Sequence, residues 1–221
     1  MCSIRYLSHN HNCRSSVPIW KINIGGLHPS FFYVIICKKT MWSPFWIWES
    51  DIPDSICDQI IEFSNLTEFE KGMTASGDSS RKVDVKFLHE EYNWINALMF
   101  GYAMFANSQN FKYNLSVHDR EGVQLSHYKI GEYYGQHMDF NISSDDIGHT
   151  RKLSMSLQLS DEKSYDGGEL TLYYSGEKYI VPKSKGTVIV FDSRTTHEVT
   201  PVIRGDRYSL VKWVHGDTPL A

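Results

Sequence analysis

After residue 115 the chain becomes a succession of short runs that alternate apolar and polar residues, and this restricts its fold more than any other feature. The runs are Val123–Ile130, Tyr133–Met138, Leu153–Leu159, Glu169–Tyr174, Thr187–Phe191, Glu198–Val202 and Arg207–Val214. Turn residues separate them, notably Gly131, Asp166-Gly167-Gly168 and Lys185-Gly186. Period-two alternation between turn signals is the mark of half-buried strands, because successive side chains point to opposite faces. So many short strands in sequence predict a double-sheet jelly roll.

Ahead of the strands the pattern is helical. Pro53-Asp54 opens a helix in which Ile56, Ile60, Ile61 and Phe63 share a face. A longer helix over about 89–108 carries Tyr92, Ile95, Met99, Tyr102 and Ala106 at helical spacing, a stripe read as core. Helices gathered before a set of strands give an α+β fold, with the N-terminal helices packed on one sheet. Trp42–Trp48 reads as an extended, buried opening segment, and residues 72–80 as a loop rich in Gly, Ser and Thr.

The first forty residues differ from the rest. They hold no Asp or Glu, while Arg5, Arg14, Lys21, Lys38 and Lys39 are basic. The apolar run Phe31–Cys37 is far shorter than the roughly 20 residues a bilayer needs. Lys38 and Lys39 follow it where a signal peptide would place small residues. A transit peptide fits an acid-free leader, but the simpler expectation is a disordered extension, or an upstream mis-start. The domain plan is therefore an extension over 1–40, a helical support region over 41–115 and a core over 116–217.

Cys2, Cys13, Cys37 and Cys57 form no C-x-x-C pair, which argues against a disulfide framework or a cysteine zinc site and suits a reducing, cytoplasmic setting. A formal charge of −4 gives no electrostatic case for nucleic acid or an anionic membrane as partner.

His137 and Asp139 stand two apart in Tyr134-Gly135-Gln136-His137-Met138-Asp139. On a strand, residues i and i+2 share a side, so an imidazole and a carboxylate there can converge on one point. Alone, the pair fits an exposed polar strand face equally well. His197, at the start of a later strand, offers a third ligand, and two imidazoles with one carboxylate leave open positions on an octahedral Fe(II). Arg207 follows ten residues later, with Ser209 alternating onto its side of the strand. A guanidinium presents a planar fork to a carboxylate, and a serine hydroxyl completes the set.

Taken together, these residues resemble the 2-oxoglutarate- and Fe(II)-dependent dioxygenases, in their prolyl-4-hydroxylase-like branch. The similarity runs over about residues 81–215. It rests on Tyr128 and Gly131 ahead of His137-x-Asp139, then Arg151-Lys152-Leu153-Ser154, Leu159-Ser160, Asp166-Gly167-Gly168-Glu169-Leu170 and Val190-Phe191. It ends with His197-x-Val199-Thr200-Pro201-Val202 and Gly205-x-Arg207. The resemblance implies a cupin-like double-stranded β-helix with iron held by His137, Asp139 and His197, and no catalytic residue beyond these ligands. It implies 2-oxoglutarate anchored by Arg207 with Tyr128 and Ser209 in contact, O2 as oxidant, and ascorbate (vitamin C) as reductant. The implied activity is hydroxylation of an unactivated C–H bond, a prolyl residue of a peptide or protein among the candidates, with release of succinate and CO2. One departure stands out: collagen-type prolyl hydroxylases carry lysine where this chain has Arg207, which puts strict collagen-type specificity in doubt.

The substrate, a peptide, protein or small molecule, is not written in these motifs. Loops Gly72–Ser80, Phe140–Thr150 and Asp161–Tyr165 are candidate lids, and Arg81, Tyr133, Tyr134 and Tyr173 candidate groove residues. Two other readings keep the fold but change the function: a cupin-like metal enzyme that does not use 2-oxoglutarate, and a non-catalytic binding module.

Overall fold

The computed structural model describes residues 43–64, 68–72, 80–88, 93–116, 121–140 and 149–217. The extension expected over 1–40, most of the 72–80 loop and most of the 140–150 loop lie outside the described residues.

Two helices precede most of the strands. Helix α1, Asp54–Ser64, begins directly after Pro53, whose fixed φ suits a helix start. Helix α2 spans Asn93–Ala106 and buries Ile95, Met99, Ala103 and Ala106; the first residues of the expected 89–108 helix, with Tyr92, lie outside the described residues. A π-helical turn, Asn107–Phe111, then ends it at Lys112, whose φ of 62° breaks the helical path. Asn107 secures this exit by accepting from the Tyr113 backbone at 2.8 Å and donating to the Tyr113 carbonyl at 3.0 Å.

The strands are β1 (Phe45–Trp48), β2 (Glu70–Lys71), β3 (Arg81–Lys82), β4 (Asp84–Leu88), β5 (Val123–Tyr128), β6 (Tyr133–His137) and β7 (His149–Gln158). After these come β8 (Asp166–Gly167), β9 (Leu170–Tyr174), β10 (Glu177–Ile180), β11 (Val188–Asp192), β12 (Thr196–Val199), β13 (Val202–Arg204) and β14 (Arg207–Asp217). They form a seven-stranded sheet in the order β1-β11-β7-β14-β5-β4-β2 and a five-stranded sheet in the order β10-β9-β12-β6-β3, with β13 paired to β8 beside them. All pairings are antiparallel, and two facing sheets with helices on one of them are the expected double-stranded β-helix.

Strands β2, β3, β4, β8, β10 and β13 were not read from the sequence. Strand β4 shows the alternation Val83, Val85 against Lys82, Lys86, but its Asp84 is buried, with its carboxylate paired to Lys71 and Lys129. Strand β10 closes a hairpin on β9 through Ser175-Gly176, both at positive φ (50° and 81°), the geometry of a two-residue hairpin turn. The span 41–115 thus supplies strands β1 to β4 as well as helices.

One core lies between the helices and the outer face of the large sheet, built on Ile60, Ile95, Met99, Leu153, Met155, Leu157, Leu210 and Val214. A second lies between the sheets, with Val83, Tyr128, Leu172, Ile189, Phe191 and Val199. Strand β7 divides the two environments. Leu153, Met155 and Leu157 face the helices, whereas Ser154, Ser156 and Gln158 are buried on the opposite face.

Candidate metal centre

Strands β6 and β12 are antiparallel neighbours in which His137 and His197 are direct register partners. Their rings stand 4.1 Å apart. Asp139 follows just beyond the end of β6, and the ligand atoms of all three residues lie within 4.8 Å of one another. The Nε2 atoms of His137 and His197 are 3.5 and 3.3 Å from the Asp139 carboxylate oxygens.

Each imidazole is oriented from behind. The Nδ1 of His137 is 2.8 Å from the Gly135 carbonyl, and that of His197 is 2.9 Å from the Thr195 carbonyl. A carbonyl can only accept, so both Nδ1 atoms carry the proton and both Nε2 lone pairs turn inward, the tautomer a metal ligand needs. Tyr134 stacks on His137 at 3.5 Å and Phe191 meets His197 edge-on at 4.9 Å.

Asp139 is 7% exposed, and its Oδ2 accepts a hydrogen bond from Ser154 Oγ at 2.6 Å. Burial works to raise its carboxyl, but the two imidazoles outweigh this and hold it well below the usual carboxylate range. Burial likewise works to lower His197, and Asp139 overcomes it to raise that imidazole. A buried carboxylate whose ion-pair partners among the described residues are two histidines, each with a lone pair aimed inward, fits a divalent cation. The donor set of two nitrogens and one carboxylate is that of non-haem Fe(II) sites.

The turn 192–195 ties the ligand segments together. The Phe140 amide donates to the Ser193 carbonyl at 2.9 Å, and the Ser193 amide donates to the Lys152 carbonyl at 3.0 Å. Ser193 Oγ donates to the Arg151 carbonyl at 2.5 Å. Thr195, which holds His197, is itself fixed by its amide to Asp192 O at 2.8 Å.

Arg207 lies on the inner face of β14, opposite Tyr128 of β5, and Ser209 sits between Ser126 and Gln158. The guanidinium is 1% exposed, and its hydrogen bonds among the described residues go to neutral groups. Nη1 donates to Ser209 Oγ at 3.1 Å and Nη2 to Gln158 Oε1 at 2.9 Å. The Tyr128 ring centroid lies 5.2 Å from the guanidinium carbon. Burial pushes the Tyr165 phenol up while Arg207 draws it back, yet the buried Arg207 Nε finds no acceptor. A buried cation beside hydroxyls and an amide, with a donor unspent, fits the carboxylate of a ligand.

Strand β7 spans both parts of the site, with Ser154 at Asp139 and Gln158 at Arg207. Four residues at roughly 3.3 Å each separate those two backbone positions by about 13 Å, before the side chains reach into the space between. The structure therefore brings His137, Asp139 and His197 together, and places Arg207, Tyr128 and Ser209 in one cradle along the same barrel. Ser154, Gln158, Tyr134 and Ser193 were not foreseen in these positions. The signal for the first two was present: in Leu153-Ser154-Met155-Ser156-Leu157-Gln158 the polar residues keep strict period two.

Of the candidate groove residues, Arg81 lies over the Tyr134 ring at 4.8 Å and donates to Gln124 at 3.1 Å, bridging the two sheets. Tyr173 donates to Glu198 at 2.6 Å. A shallow apolar depression lined by Trp48, Leu98, Tyr102 and Phe105 lies on the helix side of the large sheet, away from these groups.

The fold and these side chains define a double-stranded β-helix protein with a convergent cluster of two histidines and one carboxylate and, along the same barrel, a buried arginine. Residues 123–215 match the model of the 2OG-Fe(II) oxygenase superfamily. Among curated relatives, a PKHD-type hydroxylase of Synechococcus sp. (strain CC9605) is 41% identical over 93 residues, 41% of this chain and 40% of the relative. One from Maricaulis maris (strain MCS10) is 36% identical over 92 residues, 42% of this chain and 41% of the relative. The chain thus spans about two fifths of the length of the curated relatives it matches. Among solved structures, a Pseudomonas putida prolyl-4-hydroxylase superposes with a TM-score of 0.61 at 21% identity, covering 77% of this chain and 91% of that one. A Trichoplax adhaerens prolyl hydroxylase, solved with a hypoxia inducible factor peptide fragment, gives a TM-score of 0.64 at 18% identity, covering 77% and 83%. These two likenesses speak to the fold.

Proposed function

We propose that this protein is an Fe(II)- and 2-oxoglutarate-dependent dioxygenase that hydroxylates an unactivated C–H bond, with a prolyl residue of a peptide or protein as the foremost candidate. The observation that carries the reading is the pairing, along one barrel, of a convergent His137/Asp139/His197 set with an Arg207 guanidinium that has no carboxylate partner among the described residues. Bound there, iron supplies the oxygen chemistry that couples decarboxylation of 2-oxoglutarate, to succinate and CO2, to hydroxylation of the substrate.

The chain's own residues bind and orient. His137 and His197 offer Nε2 because Gly135 and Thr195 carbonyls hold the Nδ1 protons. Ser154 fixes one oxygen of Asp139 and leaves the other free to turn toward the cation. Arg207, with Ser209 and Tyr128, receives the far carboxylate of the cosubstrate, so that its keto-acid end points toward the three ligands. None of these groups needs to transfer a proton. Ascorbate would serve to keep the metal reduced between cycles, and substrate selection would fall to Arg81 and the tyrosines near it. A cupin-like enzyme that does not use 2-oxoglutarate has no use for a desolvated guanidinium in this position, and a pure binding module has none for inward-turned imidazoles.

No helix among the described residues is long and apolar enough to cross a membrane. The proposed setting is the reducing cytoplasm, which suits a ferrous centre and the free, buried Cys57.

The function is tested by following succinate release from 2-oxoglutarate, with Fe(II) and air, against a panel of proline-containing peptides and small metabolites. Stimulation by one class, with a matching mass gain of one oxygen atom, is expected. Failure of Fe(II) to support any 2-oxoglutarate consumption, even uncoupled, would exclude the proposal.

A further inference from the structure

We propose that Gln158 is a specificity-determining residue, a neutral clamp that fixes the Arg207 guanidinium without cancelling its charge and so reserves that charge for the cosubstrate's distal carboxylate. The inference rests on the cosubstrate reading above and deepens it.

A buried guanidinium ordinarily sits against a carboxylate, because desolvating an unpaired charge is costly. Arg207 is 1% exposed, yet among the described residues its side-chain partners are of two kinds, the hydroxyls of Ser209 and Tyr165 and the amide of Gln158. Both are neutral, so the cation keeps its full charge. Gln158 is equally buried, at 2% exposed, and its backbone is locked at both ends. Its amide donates to Thr187 O at 2.9 Å, and its carbonyl accepts from Gly186 N at 2.9 Å. The side chain therefore stands on a rigid strand.

Its orientation follows from chemistry. Arginine has donors and no acceptor, so only Oε1 can face Nη2, and the Nε2 donor group is turned away from Arg207. Arg207 Nε is buried without a hydrogen-bond partner in the structure, which leaves it as unspent donor capacity in the cradle. Ser209 Oγ accepts from Arg207 and keeps its own proton to donate. Gly168 closes the opposite side: a Cβ there would stand 3.0 Å from Arg207 Cδ. Cation, amide donors and hydroxyl, with no carboxylate among them, describe a cradle for an anion.

The test replaces the amide by its charged isostere. Glu at 158 keeps the hydrogen bond to Nη2, adds an ion pair and removes the free charge. In Mn(II)-loaded protein, calorimetric titration with 2-oxoglutarate should show binding to Q158E weakened on the order of 100-fold, the scale for a buried charge pair lost to its ligand. The thermal midpoint of Q158E should be equal to the parent's or higher, and Mn(II) affinity unchanged. Q158M, which drops the hydrogen bond but leaves the charge, should lose only about tenfold or less. A purely structural role for Gln158 predicts the reverse order, with Met worse than Glu, and that result would overturn the proposal.

Should Q158E fail to fold, the parent protein answers by its choice of ligand. It should bind 2-oxoglutarate on the order of 100-fold more tightly than the analogue carrying an amide in place of the distal carboxylate. Equal binding of the two would refute the reserved charge. A parent that takes up Mn(II) but binds no 2-oxoglutarate would defeat the cosubstrate reading itself, an outcome distinct from a parent that binds and a Q158E that binds as well.

Discussion

Ser154 shows how far a small side chain can act on the proposed metal site. Its 2.6 Å hydrogen bond holds one oxygen of Asp139, a ligand that would otherwise rotate. Outer partners of this kind typically contribute 10- to 100-fold to metal affinity. Ser154→Ala is therefore expected to weaken Fe(II) or Mn(II) binding by about that factor in a chelator competition, while 2-oxoglutarate added to metal-saturated protein binds as before. Asp139→Ala and His137→Ala should abolish metal-dependent 2-oxoglutarate turnover altogether. Arg207→Ala should leave metal affinity intact and raise the apparent KM for 2-oxoglutarate; an unchanged KM would show that the anchor lies elsewhere.

Among the elements, the turn from β11 into β12 bears most on the site, since it holds Phe140 through Ser193 and His197 through Thr195. Asp192 organises it, accepting from Tyr113 and Arg194. Burial works to raise the Asp192 carboxyl, but Arg194 and Tyr113 prevail and hold it below its ordinary value. A carboxyl lowered on folding contributes stability that is present above its unfolded pKa and is lost as pH falls through the lowered folded value. Acid unfolding followed by circular dichroism should accordingly begin at higher pH in Arg194→Ala than in the parent. Coincident acid transitions would mean that the pair contributes nothing to the turn.

This turn was not legible in the sequence, because Asp192-Ser193-Arg194 is an ordinary polar connection until its partners at 113, 140 and 151–152 are known. The convergence of His137 and Asp139 was legible, because a period-two spacing on one strand encodes it directly. Arg207 with Ser209 was legible for the same reason. Gln158 escaped notice since a buried glutamine on an alternating strand looks like a solvent-facing one until the opposite sheet is in place. Strand β4 was hidden by Asp84 and its two lysines, a buried polar position that breaks the expected pattern.

At the scale of the whole molecule, the large sheet separates stability from chemistry. Its outer face carries the helix-packed core with Met99 and Leu153, and its inner face carries the polar row that serves the site. Substitutions on the two faces should have separable effects. Met99→Ala is expected to cost about 2–5 kcal/mol, the range for emptying a packed methionine or leucine site, lowering the thermal midpoint without altering 2-oxoglutarate affinity. A parallel loss of affinity would show that the helices also shape the cradle. The central claim is that one barrel holds a ferrous ion and a 2-oxo acid together, and anaerobic addition of Fe(II) and then 2-oxoglutarate tests it most directly. The account predicts a weak visible charge-transfer absorption that saturates at one 2-oxoglutarate per chain and is missing in Asp139→Ala. Metal binding with no such absorption in the parent would contradict it.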